Sequence, residues 1–161
     1  ELDVNKVDKD HHDHFLNGAI FEVYDKTAKS FVTTLASGQL MIVGDDANEE
    51  YEISKDEDFT KIIKTVKTNE NKQIILDMDD GTYYSRKVGD DKVSKHVIKD
   101  GKAVLVDAIY GHEYEFKEIK APASYQLADK SKVYKVEADK DTDTIIYHFE
   151  NARIVVPNTG V

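Results

Sequence analysis

The sequence predicts a mainly β protein, an immunoglobulin-like sandwich of short strands that carries an inserted α+β element. Three observations lead there. Most apolar residues alternate with polar ones, turn signals recur at short spacing, and only one stretch keeps the spacing of a helix.

Residues 2–8 alternate as a first strand, with Leu2, Val4 and Lys6 on one face. A polar loop follows, Asp8-Lys9-Asp10-His11-His12-Asp13-His14, and then a second strand at 19–24 with Ala19, Phe21 and Val23 on one side. The turn Asp25 to Ser30 leads to a third strand, Phe31 to Leu35. From about 36 to 95 strand and helix signals are mixed. Within this stretch Phe59, Ile62, Ile63 and Val66 follow i, i+3, i+4, i+7 spacing, which predicts a helix from about Glu57 to Thr68 with Ser54 or Asp56 as N-cap. Apolar runs at Gln39–Val43 and Tyr51–Ile53 precede it, and a hairpin is expected after it, pairing Gln73–Leu76 with Thr82–Lys87 around Asp79-Asp80-Gly81. Asp77-Met78-Asp79-Asp80-Gly81 looks like the start of a calcium loop, but its glycine comes one place early and no glutamate closes it, so it reads as a turn. Strand pattern resumes at Val93–Ile98, turns at Asp100-Gly101 and returns at Ala103–Ala108. The strand around Tyr114, the segments Tyr125–Leu127 and Val133–Val136, an acidic turn Asp139–Asp143 and a last strand Thr144–Asn151 complete the chain.

Three of these strands end an apolar stripe with a polar group. Lys6 follows Leu2 and Val4; Glu118 follows Tyr114 and Phe116; Asn151 follows Ile145, Tyr147 and Phe149. A lone charge on a core face is costly, so the least costly arrangement brings the amine, the carboxyl and the carboxamide together. A plain Lys6–Glu118 salt bridge with Asn151 as a bystander is the alternative.

The segments Val4-Asn5-Lys6-Val7-Asp8-Lys9-Asp10, Leu16-Asn17-Gly18-Ala19-Ile20-Phe21-Glu22-Val23-Tyr24 and Tyr114-Glu115-Phe116-Lys117-Glu118-Ile119-Lys120-Ala121-Pro122 resemble the Cna B-type domain of Gram-positive surface proteins and pilins. The resemblance covers roughly the first 35 and last 65 residues and leaves out the middle. It implies an intramolecular isopeptide bond, with Lys6 as nucleophile, Glu118 as catalytic acid and Asn151 as acceptor. Ala121-Pro122-Ala123-Ser124-Tyr125 departs from it, since the family usually has glycine before the tyrosine. The resemblance implies a Cna B-type domain over 1–155, interrupted at about 36–95. It further implies a sorting segment over 156–161, where Val156-Pro157-Asn158-Thr159-Gly160 is similar to the LPXTG signal that sortases cleave.

Composition limits the function. The 161-residue chain carries a net charge of −10 with both signs interspersed, against a nucleic-acid or anionic-membrane partner. It has no cysteine, hence no disulfide, zinc-thiolate site or thiol nucleophile. No signal peptide or transmembrane span is present, and the sequence reads as a piece of a longer chain. His11, His12 and His14 with the nearby aspartates could bind a divalent metal, but a solvated hairpin loop lacks the outer contacts that fix a metal site, and none is assigned. No cofactor is expected, and a single-turnover self-modification makes the protein no enzyme. A hydrolase using the histidines would lack a paired nucleophile and a phosphate loop.

The expected function is therefore a C-terminal stalk module of a cell-wall-anchored, extracellular pilin or adhesin. Without a Tyr-Pro-Lys-Asn-like segment, it reads as a minor or basal pilin, or a monomeric adhesin, rather than a shaft subunit. Sortase, together with peptidoglycan or another pilin subunit, would be its partners. The alternative is an adhesive domain whose insert binds a host protein, because inserted surfaces acquire binding roles.

Overall fold

Two sheets face each other across the main core. The computed structural model describes residues 1–137 and 145–155. In the first sheet β1 (Leu2–Asp8) lies between β10 (Lys102–Leu105), antiparallel to it, and β13 (Tyr147–Asn151), parallel to it. The second sheet is antiparallel throughout, in the order β12 (Lys132–Lys135), β11 (Glu113–Lys120), β2 (Ile20–Asp25) and β3 (Ser30–Ala36). Their inner faces supply the core: Leu2, Val4, Ala103, Leu105 and Phe149 from one sheet, Phe21, Val23, Tyr114, Phe116 and Tyr134 from the other. Phe21 is its hinge point, meeting Phe149 edge-on at 4.8 Å and Phe116 at 5.7 Å. Each such pair adds about 0.5–1.5 kcal/mol beyond the area it buries. The result is the immunoglobulin-like sandwich that the alternation predicts.

The alternating residues behave as their pattern requires. In β11, Tyr114, Phe116 and Glu118 are buried while Glu113 and Lys117 are exposed. In β1, Leu2, Val4 and Lys6 are buried. The last strand is shorter than its pattern suggests, beginning at Tyr147, with Ile145 exposed before it.

The stretch from 36 to 95, expected to be an α+β insert, is built of strands, and the helix expected from about Glu57 to Thr68 is not formed. No helix occurs among the described residues. Asp56 closes a loop instead: its carboxylate accepts from the amides of Thr60 and Lys61 and from the hydroxyls of Ser54 and Thr60. The chain then runs as β6 (Ile62–Lys67), in which Ile62 and Ile63 are exposed. Branched side chains at Ile62, Ile63, Thr65 and Val66 favour the extended form, which outweighs the helical spacing. The hairpin expected between Gln73–Leu76 and Thr82–Lys87 is also replaced. There β7 (Gln73–Leu76) pairs with β4 (Leu40–Val43), whereas β8 (Gly81–Lys87) lies between β5 (Glu50–Ser54) and β9 (Ser94–Ile98). With β6 on the far side of β5, these strands enclose a second core of Leu40, Ile42, Ile53, Ile74, Tyr83 and Ile98. Met41 and Ile75 point the other way and pack with Ile20 and Ala36 of the sandwich.

The Asp100-Gly101 turn leads back to the sandwich. Gly101 has φ +67°, and a Cβ there would lie 2.2 Å from Cβ of Phe15, so both backbone shape and space require glycine.

Candidate crosslinking site

Lys6, Glu118 and Asn151 converge at one end of the main core, and all three are buried. Parallel pairing of β1 with β13 sets Lys6 opposite Phe149 and Asp8 opposite Asn151. Lys6 and Asn151 are thus diagonal neighbours across adjacent strands, and with strands about 4.8 Å apart rising about 3.3 Å per residue their backbones lie about 8 Å apart, which a long side chain can span. Glu118 reaches them from the facing sheet.

The lysine has no exposed surface. Its Nζ donates to the carbonyls of Phe149 at 3.0 Å and Val7 at 3.3 Å, and among the described residues it forms no ion pair. The plain salt bridge with Glu118 is therefore not made. Burial pulls the amine from 10.5 down to about 8, against the attraction of Glu118, Asp8 and Glu150. About a tenth of it is therefore neutral, hence nucleophilic, at pH 7, and about half at pH 8.

Burial acts oppositely on Glu118, pushing its carboxyl up toward the protonated form, with the hydrogen bonds from Asn151 and Ala128 and the charge of Lys6 opposing. Its Oε1 accepts from Asn151 Nδ2 at 2.6 Å and from the Ala128 amide at 3.0 Å; Oε2 is buried without a partner. Asn151 Nδ2 also donates to the Gln126 carbonyl at 2.7 Å, leaving Oδ1 buried and unpartnered. The Gln126 carbonyl can only accept, so the nitrogen of the carboxamide must face it. Glu118 therefore lies beside the nitrogen that would leave, not beside the carbonyl oxygen.

Further groups surround this trio. Asp8 is buried, and its Oδ2 accepts from the Tyr125 hydroxyl at 2.7 Å. It follows Lys6 by two residues, so the alternation of β1 was signal enough to find it. Gln126 and Ala128 act through backbone atoms, which no side-chain pattern reveals.

The histidines are not gathered into a metal site. His11 and His14 rings lie 5.4 Å apart, while His12 turns to His148 at 4.9 Å and to Glu150 Oε1 at 3.1 Å. Among the described residues no three metal-ligating side chains converge. Asp77 and Asp80 of the calcium-like turn are taken up by Gln39 and by the Asp100 amide. A serine–histidine contact does exist, with Ser85 Oγ 2.7 Å from His96 Nε2, but Ser85 is buried and burial lowers His96 to about 4. Val156–Gly160 lies outside the described residues.

The sequence matches the SpaA family of prealbumin-like fold domains over residues 1–153. The chain belongs to that family. Two solved structures resemble this SpaA-family domain. One is the pilus 2b backbone protein of group B streptococcus, at 20% identity and a TM-score of 0.35, covering 94% of this chain and 40% of that one. The other is the TIE protein of Bacillus anthracis, at 13% identity and a TM-score of 0.33, covering 94% of this chain and 50% of that one. The SpaA-family domain thus spans half or less of either chain. Among curated proteins none matches it.

Proposed function

We propose that this domain is a structural module of a Gram-positive surface protein, a minor or basal pilin or an adhesin, closed by a self-made amide between Lys6 and Asn151. The observation that carries this reading is the buried contact between Glu118 Oε1 and Asn151 Nδ2 beside an unpaired, low-pKa lysine. Neutral Nζ attacks Cγ of Asn151. Glu118 gives its proton to Nδ2 and takes one from the attacking amine, so that ammonia leaves, a Cγ–Nζ bond replaces the Cγ–Nδ2 bond, and the carboxyl is restored. The reaction occurs once per molecule, so the protein is not an enzyme.

The bond's position gives it a mechanical use. A pull that enters before Lys6 and leaves after Asn151 passes through the amide, and the chain between them carries little tension. In this reading residues 1–155 form one domain with an insertion at about 36–95, and 156–161 form a segment that sortase joins to peptidoglycan or another pilin subunit. The protein would then stand on the outer face of the cell wall. Peptide mapping tests the bond: a digest of folded protein should contain a branched peptide joining the Lys6 and Asn151 segments. Recovery of both as separate, unmodified peptides would reject it.

Binding of a host protein by the insert is a second reading. Ile62 and Ile63 are exposed on β6, the edge strand of the insert's larger sheet. A screen of matrix proteins against the intact chain and an Ile62→Lys, Ile63→Lys variant tests it, with binding lost in the variant as the expected result.

A further inference from the structure

One short run of backbone holds both partners of Lys6. The Gln126 carbonyl takes one hydrogen of the Asn151 carboxamide, Glu118 takes the other, and the Ala128 amide donates to the same Glu118 oxygen. The plane of the carboxamide and the position of the carboxyl thus depend on where residues 126–128 sit. That run belongs to neither sheet. It rides on the chain just beyond Asn151: the Gln126 amide donates to the Ala152 carbonyl at 2.8 Å, the Ile154 amide donates to the Ser124 carbonyl at 3.0 Å, and Tyr125 bridges Arg153.

Its tie to the lysine strand is a side chain. The Tyr125 hydroxyl donates to Oδ2 of Asp8, the residue opposite Asn151 in the parallel register. Asp8 is itself fixed, because its Oδ1 accepts from the amides of Asp10 and His11. Hydrogen bonding from Tyr125 and those amides holds its carboxyl below the usual range. Arg153 covers the pair from outside, with Nε 3.4 Å from the Tyr125 oxygen and 3.5 Å from Asp8 Oδ2. Asp8 thus links the strand that carries the nucleophile to the backbone that orients the acceptor.

We propose that Tyr125 is a positioning residue for the Lys6–Asn151 condensation, its bond to Asp8 setting residues 124–128 at the height along β1 where the Asn151 carboxamide meets Lys6. This rests on the isopeptide reading above. Tyr125 touches none of the reacting atoms; it acts through Gln126 and Ala128. Loss of one hydrogen bond to a carboxylate should slow bond formation about tenfold. The groups that set the ionisation of Lys6, namely Glu118 from β11, Asp8 on its own strand and Glu150 from β13, all remain in Tyr125→Phe. The pH at which the rate is half its maximum should therefore not move.

The test uses full-length chain made by cell-free translation, quenched in denaturant at intervals and scored by intact mass for loss of ammonia. Wild type and Tyr125→Phe are compared, and thermal unfolding of both in the Glu118→Ala background reads stability without the crosslink. The expected result is a folded Tyr125→Phe that reacts about tenfold more slowly with an unchanged pH midpoint. Asp8→Ala should be slowed as well, and the double variant should be no slower than the slower single, as one shared contact requires. If one variant fails to fold, the other carries the measurement. Both failing to fold would overturn the proposal, because the pair would then serve the fold and not the alignment. Equal rates in folded wild type and Tyr125→Phe would overturn the proposal alone. A wild-type chain that never loses ammonia would overturn the isopeptide reading and this inference with it.

Discussion

Replacing Lys6 by methionine removes the proposed nucleophile while keeping an unbranched side chain in the core. The amide it abolishes would close a loop of about 145 residues, worth on the order of 5 kcal/mol in the chain-entropy account of crosslinks. The hydrogen bonds from Nζ to the Phe149 and Val7 carbonyls are lost too. Each is worth about 0.5–1.5 kcal/mol, offset by no longer burying an amine. The crosslink therefore dominates the change. For a chain this size 1 kcal/mol moves Tm by about 2–4 °C, so Lys6→Met should melt roughly 10–20 °C below wild type. Calorimetry on wild type, Lys6→Met, Asn151→Ala and the double variant measures it. If one bond joins the two side chains, either change removes it, and the double variant should fall only about 1–3 kcal/mol below Lys6→Met, the cost of orphaning the Gln126 carbonyl and Glu118. A Lys6→Met protein that melts with wild type, or losses that simply add, would refute the reasoning.

Glu118→Ala should fold and keep its full, unlinked mass; intact-mass measurement of that variant finding it crosslinked at normal speed would remove Glu118 from the chemistry. The burial that holds the Lys6 amine at about 8, against 10.5 when free of it, should persist in the unlinked Asn151→Ala protein. Between those values the unfolded chain binds more protons, so stability should rise with pH across that window, and urea titrations against Lys6→Met, Asn151→Ala should isolate the rise. Phe21→Ala, which removes the ring that Phe116 and Phe149 both pack against, should cost about 3–5 kcal/mol by chemical denaturation in the unlinked background. Gly101→Ala, forced against Phe15 at positive φ, should cost about 1–3 kcal/mol in the same assay.

The sandwich could be read from the sequence wherever a strand has one wet and one dry face. Tyr114, Phe116 and Glu118 alternate with half-buried or exposed neighbours, and Leu2, Val4 and Lys6 of β1 are spaced by the half-buried Asp3 and Asn5. The polar ends of those stripes located the trio, because an amine, an acid and an amide on dry faces have few places to go but toward each other. The stretch from 36 to 95 resisted the same reasoning. Its β6 exposes Ile62 and Ile63, so no alternation marks it, and Ser54 with Asp56 looks like a helix cap although Asp56 folds back on Thr60 and Lys61. Pairing failed for a related reason. Consecutive strands β7 and β8 look like a hairpin locally, yet Ile74 is needed against Ile42, and Tyr83 against the rest of that core. Only the three-dimensional arrangement exposes the part of the site made from the Gln126 carbonyl and Ala128 amide.

The intact mass of folded wild-type protein, beside Lys6→Met prepared the same way, tests the central claim most directly. The account predicts that wild type falls short of its sequence mass by one ammonia while Lys6→Met matches its own. A folded wild-type chain at full mass would contradict it.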